Sequence, residues 1–132
     1  MSNYFVDNVL PEEWDRKAHM STVPGEIDMM ELDHPLPCGD GFIEPGYKSD
    51  GATVMFMRNV PLFGFPKWKH PMATFRHDKR CEEAGRYKSF NKPLYKKLRK
   101  IADDMFKVDV GVGGTWWEKQ KGYIGVRIGA FF

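Results

Sequence analysis

Two short stretches of the sequence contain residue types that could carry out acid–base chemistry together. The stretch FRHDKRCEEAG places His77 directly before Asp78, and RKIADDMF further along contains Asp103 and Asp104. A carboxylate that holds one imidazole nitrogen leaves the other nitrogen to take a proton from water. If both stretches are helices that pack antiparallel, the His77 ring meets a carboxylate of the second helix. The sequence therefore predicts a His–Asp dyad.

A cation site is predicted next to the same helix. At about 100° of rotation per helical residue, Asp78 points to a different neighbour from His77. The turn SDGAT supplies Asp50 and backbone carbonyls. Two carboxylates, loop carbonyls and waters are ligands that Ca²⁺ prefers, whereas zinc would require more His or Cys. A plainer alternative is that Asp50 caps a turn and Asp78 a helix.

The element that positions His77 is predicted to be a helix over residues 71–84. Proline at position 71 suits the first turn of a helix. One stripe of that helix consists of Ala73, His77, Cys81 and Ala84. Because most of these residues are small, another backbone can come close to the histidine.

A second helix is predicted from Asn91, a suitable cap, to about Gly111, where the run GVGG ends it. Its apolar residues recur at helical spacing as Leu94, Leu98, Ile101, Met105 and Val108. Its outward arc contains Lys97, Lys100 and Asp104. Asp103 lies elsewhere, on the side flanked by Arg99 and Phe106. The two adjacent aspartates therefore have different surroundings.

The remaining segments complete a fold that is mainly α with a small β-hairpin. EIDMMEL and GFIEPGYKS favour short strands, and Pro45-Gly46 suits a type II turn. Residues 50–71 form a predicted loop rich in proline, glycine and aromatic residues. TWWEKQKGYIGVRIGAFF predicts a last helix that closes the core, with Arg127 as its one awkward charge.

Composition excludes several classes of function. The 132 residues suit a single domain, and 20 Lys and Arg against 18 Asp and Glu give no general case for nucleic-acid binding. The basic run KPLYKKLRK is typical of the solvated face of a helix. Cys38 and Cys81 form no C-x-x-C pair, which argues against a zinc site or a disulfide scaffold.

Targeting signals are not evident in the sequence. The stretch MSNYFVDNVLPEEWDRK lacks a basic region followed by an apolar one, and no stretch approaches the roughly 18 apolar residues of a membrane span. We therefore expect no signal peptide and no transmembrane segment, and a protein that is retained in a cytoplasm or packaged from one.

Read together, SDGATV, FGFPKWKHPMATFRHDKRC and RKIADDMF resemble the core of the phospholipase A2-like superfamily, particularly its compact prokaryotic and fungal branch. That branch has a D-G/L-C/A-S turn, a loop rich in proline and phenylalanine, an R-H-D helix and a D-x-x-F helix in this order. Residues 41–129 are also similar to an uncharacterised family of small phage and prophage proteins with D-x-A-S, H-D, A-D-x-x-F and terminal V-R motifs.

The resemblance implies a role for each matching residue. His77 would be the general base that takes a proton from the water attacking an ester carbonyl, and Asp103 would orient it. Asp50, Asp78 and the Gly51 carbonyl would bind Ca²⁺, which would stabilise the oxyanion. The substrate would be a phospholipid at a host membrane, and the protein would reside in the host cytoplasm or in the virion.

The chain departs from the phospholipase pattern at several positions. Cys81 stands where these enzymes have a tyrosine that helps hold the orienting aspartate, and Thr53 replaces the serine of the turn. The glycine-rich calcium loop of the animal enzymes is absent, and the chain can form at most one disulfide.

An alternative to an enzyme stays open. The His77–Asp103 pair could be a buried polar contact that fixes how two helices dock, or Asp103 could pair with Arg99 instead. The protein would then be a phage structural or host-interaction protein that keeps the scaffold. Residues 1–40, an arm with the first strand, would dock on a virion or host protein, and residues 41–132 would form the phospholipase A2-like domain.

Overall fold

The computed structural model describes residues 3–6, 20–26, 29–49 and 70–129. The described part begins with five short strands, which are β1 (Met20–Thr22), β2 (Met30–Leu32), β3 (Leu36–Cys38), β4 (Gly41–Ile43) and β5 (Lys48–Ser49). Three helices follow, α1 (Pro71–Gly85), α2 (Lys92–Gly113) and α3 (Trp116–Gly129). This architecture confirms the predicted class, mainly α with a small β part.

The strands form two small antiparallel sheets. One sheet has the order β1-β2-β5, with Met20 opposite Leu32, and the other pairs β3 with β4. Between β4 and β5, Gly46 has a φ of 90°, and the Tyr47 amide donates to the Glu44 carbonyl over 3.3 Å. This is the type II turn predicted from Pro45-Gly46, since its second central residue requires a positive φ.

These pairings join residues on both sides of position 40. The division of the chain into residues 1–40 and 41–132 stays a prediction. Asp50, Gly51 and most of the predicted loop 50–71 lie outside the described residues.

The strands position α1 through a shared apolar cluster. Phe75 of α1 is buried against side chains of three strands, and the buried cluster consists of Leu32, Leu36, Cys38, Ile43 and Phe75. Burial of apolar surface at this contact fixes the face of α1 that turns towards the sheets. The opposite face of the helix is left for α2.

Local sequence determines where the helices begin and end. Pro71 is the first residue of α1, and the Asn91 side chain accepts a hydrogen bond from the Leu94 amide over 3.3 Å to cap α2. Helix α2 ends at Gly113 with Gly114 as its C-cap, within the GVGG run that was predicted to end it near Gly111. At the start of α3, the Thr115 hydroxyl accepts from the Glu118 amide and the Glu118 carboxylate accepts from the Thr115 amide, which is a capping box.

The three helices enclose a second core. Ala73 near the start of α1 packs with Val110 near the end of α2, so the two helices run antiparallel, and Val126 of α3 joins them. Phe106 completes this cluster. The predicted closing helix is therefore present. The two tryptophans at its start, Trp116 and Trp117, are exposed and stack on each other rather than entering the core.

The apolar stripe that defined α2 in the sequence is not its most buried face. Ala102, Phe106 and Val110 are fully buried, whereas Val108 of the predicted stripe is 56% exposed. The helix has two apolar faces, and the one with the small residue Ala102 lies against α1. Within the described residues, no helix combines the length and the apolarity that a membrane crossing needs.

Candidate functional site

The structure brings His77 and Asp103 together between α1 and α2. His77 Nε2 lies 2.7 Å from Asp103 Oδ1, and the imidazole packs beside the Phe106 ring at 4.9 Å between centroids. His77 is only 2% exposed and Asp103 is fully buried. The contact follows from the antiparallel packing of the two helices. Its role in catalysis stays a prediction.

The Asp103 carboxylate has basic partners on all three helices. Besides His77 of α1, Arg99 Nε donates to Oδ1 over 3.2 Å, and Arg127 Nη1 of α3 donates to Oδ2 over 2.8 Å. Arg99 also donates to the Val126 carbonyl over 3.4 Å. The alternative pairing with Arg99 therefore occurs together with the dyad. Arg127, the awkward charge of the sequence, has its partner in Asp103.

Cys81 is a member of the site, whereas the sequence placed it only among the mostly small residues of the His77 stripe. Its Sγ lies 3.4 Å from His77 Nε2 and 3.8 Å from His77 Nδ1, and the side chain is partly exposed. The spacing of four residues on one helix placed both side chains on the same stripe, and this spacing could have revealed the contact. Cys81 occupies the place where the resemblance expects a tyrosine.

The surroundings of His77 favour its protonated form. Burial lowers the pKa of the imidazole, but the electrostatic and hydrogen-bond contributions of the neighbouring Cys81 sulfur and of Asp103 outweigh burial. The net result raises the pKa of His77 from 6.5 to about 10. At neutral pH the side chain is therefore an imidazolium beside a carboxylate, and it must lose a proton before it can act as a base.

The predicted calcium ligands are described only in part. Asp78 is partly exposed on α1 and its carboxylate accepts a hydrogen bond from the Ser49 hydroxyl of β5. Asp50 and Gly51 lie outside the described residues. The predicted set of Asp50, Gly51 and Asp78 therefore stays a prediction, with Asp78 placed beside Ser49 at the end of β5.

A different group of potential ligands is present in the described part. One ligand atom each from His77, Cys81 and Asp103 lies within 4.8 Å of the others. Nitrogen, sulfur and oxygen donors together suit a transition metal better than calcium. However, Asp103 already accepts hydrogen bonds from His77, Arg99 and Arg127. The two guanidinium charges disfavour an added cation, so this cluster does not fit a metal well.

A second buried ionic group lies on a neighbouring stripe of α1. Arg76 Nε and Arg80 Nη1 each lie 3.4 Å from Asp109 Oδ2 of α2, and Arg80 Nε donates to the Tyr4 carbonyl over 2.7 Å. All three charged side chains are buried. The group ties residues 3–6 to the helices. The two arginines are evident next to His77 in the sequence, but nothing local identifies Asp109 as their partner.

A third polar contact joins the beginnings of α1 and α3. His70 Nε2 lies 3.3 Å from Glu118 Oε2, and His70 is buried although the sequence suggested a loop residue. Gly114 makes room for this contact, because a Cβ there would lie 2.9 Å from His70 Cε1. By contrast, Asp104 bonds Lys100 and Tyr123 near the surface and takes no part in the site.

Comparisons of the chain with models of known protein families, with curated proteins and with solved structures return no match. The phospholipase A2-like and phage resemblances therefore rest on the sequence motifs alone.

Proposed function

We propose that this chain is a phage protein with a phospholipase A2-like site that hydrolyses a carboxylic ester of host-membrane phospholipid with the help of Ca²⁺. The observation that supports this proposal is the 2.7 Å contact between His77 Nε2 and Asp103 Oδ1. The contact fixes one imidazole nitrogen and leaves the other to exchange a proton. The arginines on Asp103 hold the carboxylate in place.

The proposed reaction uses His77 as a base and then as an acid. Neutral His77 accepts a proton from water at Nδ1 while the water oxygen attacks the ester carbonyl. The imidazolium then gives that proton to the departing alkoxide, which leaves as an alcohol beside a free fatty acid. Ca²⁺ bound by Asp50, Asp78 and the Gly51 carbonyl would stabilise the oxyanion. Water would reach Nδ1 past Cys81, the partly exposed neighbour.

Protonation sets a condition on this mechanism. Because the pKa of His77 is raised to about 10, the neutral base is a minority species at pH 7. At pH values below 10, each rise of one pH unit increases the fraction of neutral His77 about tenfold. Hydrolysis that depends on His77 should therefore rise steadily from neutral to alkaline pH.

The burial of the pair favours a second candidate, a non-catalytic phage structural or host-interaction protein. His77 and Asp103 are almost inaccessible, and the carboxylate is surrounded by partners from three helices. Such an arrangement also suits a polar contact that specifies helix packing. In this case residues 1–40 would provide the surface that docks on a virion or host protein.

Hydrolysis of phospholipid vesicles separates the two candidates. Fatty-acid release should require Ca²⁺ and be lost in His77→Ala and Asp78→Asn, while Asp104→Asn, which alters the adjacent carboxylate outside the site, should remain active. Full activity in both site variants would contradict the hydrolase proposal. No release by the wild type, with copurification on virions or a host protein that depends on residues 1–40, would favour the second candidate.

A further inference from the structure

Helix α2 has a second apolar face that the fold leaves exposed in the described part of the chain. Its residues are separated by alternating steps of four and three, and they are Leu94, Leu98, Ile101, Met105, Val108 and Val112. We call this set the α2 seam. Val108 and Val112 are 56% and 51% exposed, and the other four are partly exposed. The core cluster uses a different face, with Phe106 and Val110.

The spacing of the seam suits a second helix as its partner. The five steps from Leu94 to Val112 cover 18 residues, an average of 3.6 residues, so the apolar side chains keep to one face of α2 and can align with a second helix along its length. The repeat is maintained from one end of α2 to the other, so a partner helix of similar length would cover the whole seam.

The charges beside the seam favour α2 of a second copy in antiparallel orientation. Lys97 and Asp104 lie on the same flank of the seam, seven residues apart. An antiparallel two-fold pair places Lys97 of each copy beside Asp104 of the other, which gives two opposite-charge contacts. A parallel pair would instead direct Lys97 towards Ala102 and Asp104 towards Asp109.

We propose that the protein forms a homodimer in which the two α2 seams pack antiparallel across a two-fold axis close to residue 100. This stagger places Met105 of the second copy opposite Leu94, and Ile101 opposite Leu98. Leu94 and Leu98 line a groove of about 310 Å³ together with Tyr4, Phe5 and Tyr87. The flexible Met105 side chain suits such an irregular space.

The same stagger accounts for an exposed aromatic residue elsewhere. Val108 lies opposite the connection between α1 and α2 of the second copy, where Phe90 is 72% exposed. The two side chains would cover each other. Thus one arrangement buries the exposed end of the seam and Phe90 as well, without any change within the three helices.

Sedimentation equilibrium of the full chain over a wide concentration range tests the proposal. The wild type should be a dimer, and Val108→Lys should raise the dissociation constant on the order of a hundredfold, because it buries an uncompensated charge. Ile124→Lys, at an exposed apolar position of α3, is the matched control and should remain dimeric. A wild type that is monomeric throughout, or a Val108→Lys protein that dimerises normally, would overturn the proposal.

Charge reversal tests the orientation. Lys97→Glu and Asp104→Lys should each weaken the homodimer about tenfold, and an equimolar mixture of the two variants should regain affinity in a heterodimer. A mixture no tighter than the separate variants would exclude the antiparallel pairing. Circular dichroism melting of each variant shows that a loss of dimer does not come from unfolding.

Discussion

Arg127 of the last helix donates to Asp103 Oδ2 over 2.8 Å, on the oxygen that His77 does not use. The first and third helices are thereby joined through one carboxylate of the second helix. Because Arg127 is partly exposed whereas Asp103 is fully buried, replacing Arg127 tests the polar contact with little disturbance of the apolar core.

Replacing Arg127 should destabilise the protein more than replacing a surface cation. In Arg127→Met the buried Asp103 keeps His77 and Arg99 but loses one hydrogen bond, so we expect a loss of about 1–3 kcal/mol in the free energy of unfolding. Urea denaturation measures this quantity. Lys100→Met removes an exposed ion pair with Asp104 and should leave the midpoint almost unchanged. Equal effects of the two variants would contradict the assigned importance of Asp103.

The free energy of unfolding should fall as the pH rises from about 6.5 towards 10, because His77 loses its proton. Folding raises the pKa of this histidine from 6.5 to about 10, so the folded chain holds a proton that the unfolded chain releases between these values. The stabilisation is fully present below about pH 6.5 and is lost as the pH rises towards 10. His77→Gln should therefore be less stable than the wild type at pH 6, with a smaller difference at pH 10. Urea denaturation at both values measures the change, and a constant difference would contradict it.

Cys81 should react with alkylating agents before Cys38. Cys81 is partly exposed next to His77, whereas Cys38 is buried and burial raises the pKa of its thiol, which suppresses the reactive thiolate. Mass spectrometry after brief treatment with iodoacetamide should find the first label on Cys81. Cys81→Ser should show only slow labelling. Faster reaction of Cys38 would show that the sheet region opens more readily than the site.

Removing the Cys81 sulfur should lower the pKa of His77. The sulfur is among the groups that raise the pKa of His77, and Cys81→Ala leaves Asp103 and burial unchanged. Titration of the imidazole protons by nuclear magnetic resonance measures the shift. Cys38→Ala provides the control, since Cys38 lies in the other core cluster. A pKa of His77 that rises in Cys81→Ala would contradict this account.

Gly39 should be intolerant of any side chain. Its φ is 64°, and a Cβ would overlap the Asn3 carbonyl oxygen and lie 2.7 Å from Tyr4 Cα. Gly25 has a φ of 77° with nothing near its Cβ position, so Gly25→Ala should cost only about 1–2 kcal/mol from backbone strain. Gly39→Ala should cost more and should release residues 3–6 to limited proteolysis. Equal stability of the two variants would show that this contact is weak.

Local signals predicted the helices well because recognisable residues mark where they begin or end. These residues are Pro71, the Asn91 cap and Gly114. The contact of His77 with Asp103 followed from helix spacing and antiparallel packing. Which face of α2 enters the core was not predictable, since the helix has two apolar faces and the choice depends on α1 and α3. The strands, of two or three residues each, are too short to show a period.

Long-range ion pairs were the other feature that local patterns do not contain. Arg127 was recognised as an awkward charge, but nothing near it in sequence identifies Asp103 as its partner. The same holds for His70 and Glu118, which lie 48 residues apart. Such pairs form only because the helices return to each other, so they depend on the whole packing and not on any one segment.

The position of Asp103 has a consequence for the order of folding. Its partners come from α1, α2 and α3, so the carboxylate is fully compensated only when all three helices have docked. An intermediate with α1 and α2 paired but α3 detached would hold a buried charge with one partner missing. Such an intermediate lacks part of the compensation that Asp103 has in the native chain, which favours a single cooperative transition over stepwise assembly.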